Sequence, residues 1–286
     1  MSTRHKGRSR SAHSDPPVTE FVVVDGTRLR VRIEGSGDPL LLVMGLGGNV
    51  EMWGPLVGAM DGRQTIAFDA PGTGDSDLPR RPLRMSGLAG LAGKLLDELG
   101  YDRVDVLGVS FGGAVAQQLA IDHPERVRRL ILAATTYGLG AIPGNPLTLA
   151  ILLTPLRYYS RPYFELVSPY LYGRAREDAS LFHQQALARL QRPPSLVGYY
   201  LQMAAIAGWT SLPFLRHIRQ PTLVMGGADD RIVPLINARI LRRLIPDARL
   251  YVVAGGGHLF LIDRARESAE AITGFLEQAS KAGGWT

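Results

Sequence analysis

The chain has 286 residues, enough for one α/β domain carrying an insertion, and its 45% hydrophobic and 20% charged residues are those of an ordinary globular protein. With no cysteine, disulfides, thiolate catalysis and Cys-ligated metal sites are excluded. The net charge of +6 is concentrated in residues 1–16 (net +3) and 138–218 (net +4), so the main body is close to neutral and is not a nucleic-acid-binding surface.

Residues 1–16 are rich in Ser, His and Arg, contain no apolar signal-peptide core, and read as a disordered basic tail in which His5 and His13 are too mobile to be ligands. Phe21 to Val24 and Leu29 to Ile33, joined by Asp25-Gly26-Thr27, have the pattern of an antiparallel hairpin. Leu40 to Met44 then predicts a strand buried on both faces, Met52 to Met60 a helix and Thr65 to Phe68 a strand. Gly87 to Leu99 carries Leu88, Leu91, Leu95 and Leu96 at helical spacing. Val104 to Val109 and Val127 to Ala133 predict further strands, with a helix over Ala114 to Ile121 between them. After residue 218 the alternation resumes with strand Thr222 to Met225, helix Leu235 to Leu244, strand Leu250 to Val253 and helix Ala265 to Ala279. Repeated βα units imply a mostly parallel sheet with helices on both faces. The domain expectation is a core over 17–137 and 219–286, interrupted by a helical lid at 138–218.

That insert is Pro-rich, has no clear strand and holds most of the ten Tyr. Its aromatic side chains are read equally as packing onto the core and as facing a ligand. No run reaches the ~20 apolar residues needed to cross a bilayer. Leu147 to Leu153 comes nearest and stands between Pro146 and Pro155. With no export signal, a cytoplasmic protein is expected.

Gly108-Val109-Ser110-Phe111-Gly112 sits at a strand-to-helix corner, where a Ser between two Gly is a nucleophile elbow. In a chain of 33 Gly the bland alternative is a simple turn; the flanking strand and helix favour the nucleophile. A Ser nucleophile needs a base in contact and an acid to orient it. Gly255-Gly256-Gly257-His258 follows one later strand, and Asp229-Asp230 follows another, four residues before Pro234 in the case of Asp230. All lie at carboxyl ends of parallel strands, where open α/β sheets place their sites. Asp230 is preferred as the acid, with Asp229 as the alternative. His123, His183 and His217 sit in contexts unsuited to a base. The expected oxyanion donors are the backbone N–H groups of Phe111 and of Leu46, the latter in the loop Met44-Gly45-Leu46-Gly47-Gly48-Asn49. The second Gly-rich loop, Asp69 to Ser76, reads as structural, and neither loop matches a phosphate or dinucleotide motif.

Over roughly residues 20–280 the chain resembles the α/β hydrolases. Within them it resembles the intracellular, medium-chain-length poly(3-hydroxyalkanoate) depolymerases, through Gly108 to Ala114, Leu132-Ala133-Ala134-Thr135, Gly208-Trp209-Thr210-Ser211, Pro234-Leu235-Ile236-Asn237 and Gly257-His258-Leu259-Phe260-Leu261-Ile262. The resemblance implies an α/β-hydrolase fold, a triad of Ser110, Asp230 and His258, no cofactor, and hydrolysis of a stored polyester inside the cell. It departs from that family at Phe111, where Trp is usual, and at Met44, where Asn is usual; both positions are expected to line the acyl pocket. The expected partners are a polyester or small ester substrate and, through the basic, Leu- and Tyr-rich insert, a hydrophobic storage granule. A small-molecule esterase or lactonase with the same triad is the first alternative, and a non-catalytic granule- or ligand-binding protein the second. Ser at the elbow, rather than Asp, disfavours a dehalogenase or epoxide hydrolase.

Overall fold

Six short apolar runs, each too short for a helix and bounded by turn residues, form the parallel part of one eight-stranded sheet. The computed structural model describes residues 17–172 and 179–282, so the basic tail of residues 1–16 lies outside the described residues. Strand order is β1 (Val18–Val24), β2 (Thr27–Glu34), β4 (Arg63–Phe68), β3 (Asp38–Val43), β5 (Val104–Val109), β6 (Val127–Ala133), β7 (Thr222–Gly227), β8 (Ala248–Val253). β1, β2 and β4 pair antiparallel; β4, β3 and all later strands run parallel. The β1–β2 hairpin turns through Asp25 (φ 50°) and Gly26 (φ 74°), the double positive φ that matches a two-residue turn to strand twist.

Alternation along each strand sends side chains to two separate cores. Leu41, Val43, Val106, Leu132 and Val224 pack under α2 (Met85–Glu98), α3 (Phe111–Asp122) and α8 (Leu235–Leu244). Leu40, Leu42, Leu107, Ile131 and Met225 pack on the other face under α1 (Gly54–Val57), α9 (Phe260–Asp263) and α10 (Ala265–Ala282). α2 shows why these helices dock: Leu88, Leu91, Leu95 and Leu96 recur on one face and are buried, each removal from water contributing about 1.5–3 kcal/mol.

The helix expected over Met52 to Met60 is instead a 3-10 turn, Val50–Trp53, followed by the four-residue α1. Pro55, which lacks an N–H, stands in the first turn of α1, where no intrahelical donor is required. Between β6 and β7 the chain leaves the sheet and forms α4 (Pro146–Leu152), α5 (Arg161–Tyr172), α6 (Ala179–Gln191) and α7 (Leu196–Ile206). This segment is tied to the core at its entry and again between α6 and α7. Asn145 N–H donates to the Arg231 carbonyl at 2.8 Å, and Arg192 pairs with Glu51 at 2.9 Å and Asp75 at 2.7 Å. The Asp69 to Ser76 loop anchors the second of these ties. Asp69, fully buried, accepts the Val50 and Asp75 N–H groups and pairs with Arg30 at 2.8 Å.

Candidate active site

β5 ends at Val109 and α3 begins at Phe111, leaving Ser110 alone to turn the chain. It does so at φ 54°, ψ −118°, outside the helical and extended regions. Three hydrogen bonds hold that strained backbone: Ser110 N–H to the Ala133 carbonyl at 2.9 Å, and the Thr135 hydroxyl and Gly113 N–H to the Ser110 carbonyl at 2.7 and 2.9 Å. The flanking glycines are required by contact. A Cβ on Gly108 would lie 2.3 Å from the Gly112 carbonyl oxygen, and one on Gly112 would lie 2.0 Å from that of Val43. Gly112→Ala is therefore expected to cost ~3 kcal/mol, the upper end for overpacking, read from the denaturant midpoint. Gly90→Ala, in α2 with nothing within 4 Å of its new Cβ, is the matched control and should stabilise by up to about 1 kcal/mol.

The loops after β7 and β8 interlock. Asp229 N–H donates to the Gly256 carbonyl at 2.9 Å, and a Cβ on Gly227 would lie 2.3 Å from the same oxygen. This close approach brings the Asp230 and His258 side chains together. Asp230 Oδ1 accepts the Ile232 and Val233 N–H groups at 2.8 and 2.9 Å, while its Oδ2 lies 2.8 Å from His258 Nδ1. His258 Nε2 lies 3.1 Å from Ser110 Oγ. An ionised carboxylate only accepts, so in the neutral ring Nδ1 carries the proton and Nε2 is left to accept from the serine hydroxyl. Both Asp230 and His258 are buried, whereas Asp229 is exposed.

A cavity of about 190 Å³ opens onto Ser110 and His258. Its lining is mainly apolar and includes Met52, Val109, Ile206 and Leu261, together with the pocket positions Met44 and Phe111. Leu46 lines it too. Phe111 is the first residue of α3, so its N–H precedes the helix's own ladder. The β6–β7 segment contributes Leu152, Arg157, Tyr158, Arg189 and Ile206 to the walls. None of these five was signalled by a motif, whereas Thr135, also in the lining, closes the Leu132-Ala133-Ala134-Thr135 stretch. The remaining described histidines lie elsewhere: His123 is half-exposed beside Glu125, His183 sits 3.3 Å from an Arg161 nitrogen, and His217 packs on Phe214. Among the described residues no three His, Asp or Glu side chains are grouped to hold a metal ion.

Residues 38–265 match the family model described as alpha/beta hydrolase fold. The chain belongs to the α/β-hydrolase family. It is 46% identical over 268 residues to a poly(3-hydroxyalkanoate) depolymerase of Ectopseudomonas oleovorans, covering 92% of this chain and 94% of that protein. It is 31% identical over 258 residues to a 2-hydroxy-6-oxo-6-phenylhexa-2,4-dienoate hydrolase of Comamonas testosteroni, covering 85% of this chain and 89% of the relative. Among solved structures, a hydrolase from Pseudomonas aeruginosa superposes with a TM-score of 0.76 at 27% identity, over 90% of this chain and 98% of that one.

Proposed function

We propose that this α/β hydrolase is a serine esterase that cleaves a poly(3-hydroxyalkanoate) to 3-hydroxy acids, with Ser110, His258 and Asp230 as its triad. The observation that carries the reading is the hydrogen-bonded chain from Asp230 through His258 to Ser110 at the edge of an apolar cavity. The 46% identity to a depolymerase supports the choice of substrate.

Ser110 Oγ attacks the ester carbonyl as His258 Nε2 takes its proton. Asp230 holds the ring in the Nδ1–H tautomer and stabilises the imidazolium. The N–H groups of Leu46 and Phe111 receive the oxyanion, aided by the positive end of α3. His258 then protonates the leaving hydroxyl, and water repeats the sequence on the acyl-enzyme. An apolar pocket rewards each buried CH₂ of the polyester side group by about 0.8 kcal/mol, which favours medium-chain over short-chain polymer.

Residues 138–218 act as a cap over this site and as the surface that meets the polymer. Most of the large apolar side chains exposed among the described residues lie there, including Leu139, Leu153, Leu166, Leu196 and Phe214. A surface of that kind, with net positive charge, suits an apolar storage granule bearing acidic groups. Among the described residues no helix is long and apolar enough to cross a membrane, so attachment would be peripheral. The small volume of the cavity favours a second reading, a soluble ester as substrate. One experiment separates the two. Incubation with amorphous medium-chain polyester particles should sediment the protein with them and release 3-hydroxy acids faster than from short-chain polymer. Protein that stays in the supernatant, with hydrolysis confined to short p-nitrophenyl esters, would favour the soluble ester.

A further inference from the structure

The loop that carries the Leu46 N–H is a β-turn. Gly48 N–H donates to the Gly45 carbonyl at 3.0 Å, and Gly47, the third residue of the turn, has φ 72°. A positive φ at that position marks a type II turn, which differs from type I by rotation of the peptide joining the two central residues. Here that peptide runs from the Leu46 carbonyl to the Gly47 N–H, and both of its polar ends are held from the cap. The Tyr158 hydroxyl donates to the Leu46 carbonyl at 2.6 Å, and the Gly47 N–H donates to Gln202 Oε1 at 2.9 Å.

Tyr158 and Gln202 are both buried and come from separate cap elements, the 3-10 turn Leu156–Tyr158 and α7. Tyr199 packs edge-on against Tyr158, ring centroids 6.3 Å apart. Its hydroxyl donates to the Leu152 carbonyl at 2.6 Å and accepts from Arg157 Nη1 at 2.8 Å. A Cβ on Gly47 would lie 2.9 Å from the Tyr199 ring and 3.0 Å from that of Tyr158. The two rings and the amide thus close around a single peptide unit.

We propose that Tyr158 and Gln202 are positioning residues that pin the oxyanion loop to the cap and so hold the Leu46 N–H in place before substrate arrives. The inference rests on the assignment of Leu46 and Ser110 given under Proposed function. The type II turn and its type I counterpart share φ at Leu46 and differ only in the peptide that follows. The clamp therefore acts by pinning that peptide, and with it the Leu46 Cα, to the cap, which keeps the adjoining N–H from shifting with the loop. A donor already in place needs no reorientation as charge develops, and that is the source of its catalytic value.

The test compares Tyr158→Phe and Gln202→Met, which keep bulk and remove the hydrogen-bonding group, on p-nitrophenyl octanoate. Losing an oxyanion donor outright costs ~10²–10³ in turnover, so a loosened one should lower kcat about tenfold or more with KM unchanged. An alkylboronic acid, whose serine adduct places negative charge in the oxyanion hole, should lose affinity in parallel, while 3-hydroxyoctanoate binds as before. The ratio of these two affinities is read only from folded molecules, so partial unfolding does not mimic the result. A change confined to KM and product binding, as a merely structural role would give, overturns the proposal, as does no change in either variant. If instead Ser110→Ala retains full activity, the functional reading itself has failed and the clamp falls with it.

Discussion

Ser110→Ala is expected to lower kcat on ester substrates by on the order of 10⁴-fold or more, while the protein folds and binds particles as before. The loss is that large because every other group in the site acts on the same oxygen. His258 Nε2, 3.1 Å from Ser110 Oγ, would have no proton to take. The two N–H groups of the proposed hole would act only on the far slower attack of water. Residual rate comes only from water attacking an ester polarised by that hole. Folding should be spared because the features that hold residue 110 do not involve its hydroxyl. The strained backbone at φ 54° is fixed through its own N–H and carbonyl, by Ala133, Thr135 and Gly113, and alanine tolerates that φ no worse than serine. The measurement is kcat with p-nitrophenyl octanoate beside a thermal unfolding curve and particle sedimentation. An unchanged rate would end the hydrolase reading and leave the binding-protein alternative.

The parts of this molecule readable from its sequence are those determined by residues near one another in the chain. β5, β6 and α8 have the bounds that their apolar patterns predict, because a buried strand or an amphipathic helix is specified by its own periodicity. The Ser110 corner is similar: the need for Gly108 and Gly112 arises from contacts among β3, β5 and α3 that a strand–turn–helix makes wherever it occurs. The contacts that tune the site were not readable. Tyr158 meets Leu46 across 112 positions and Gln202 meets Gly47 across 155, and no local pattern encodes either. The tyrosines of the 138–218 segment show the same limit. Composition left packing and ligand-facing roles in balance; in the structure Tyr158 lines the cavity, Tyr199 is buried against it, and Tyr159, Tyr170 and Tyr200 are exposed.

The choice between two adjacent carboxylates turns on which one the loop after β7 buries, and it leads to a paired prediction. Asp230→Asn should lower kcat on the order of 10⁴-fold, the cost of fixing the wrong histidine tautomer, with little change in KM. The geometry explains why the amide cannot simply rotate to avoid this. Oδ1 of Asp230 accepts two backbone N–H groups, from Ile232 and Val233, so the asparagine must keep its carbonyl oxygen on that side. Its NH₂ then faces His258 Nδ1 at the place where the carboxylate now accepts, 2.8 Å away. An NH₂ can only donate, which drives the imidazole proton to Nε2. A protonated Nε2 can no longer accept from Ser110, and the nucleophile is left without a base. Asp229→Asn has no such consequence, since the Asp229 side chain is exposed and only its backbone N–H touches the histidine loop. Its rate should stay within about twofold of the parent, as for surface substitutions generally. The reverse pattern, a large loss at 229 and a small one at 230, would transfer the role of the acid to Asp229 and require the two loops to rearrange around His258 in the working enzyme.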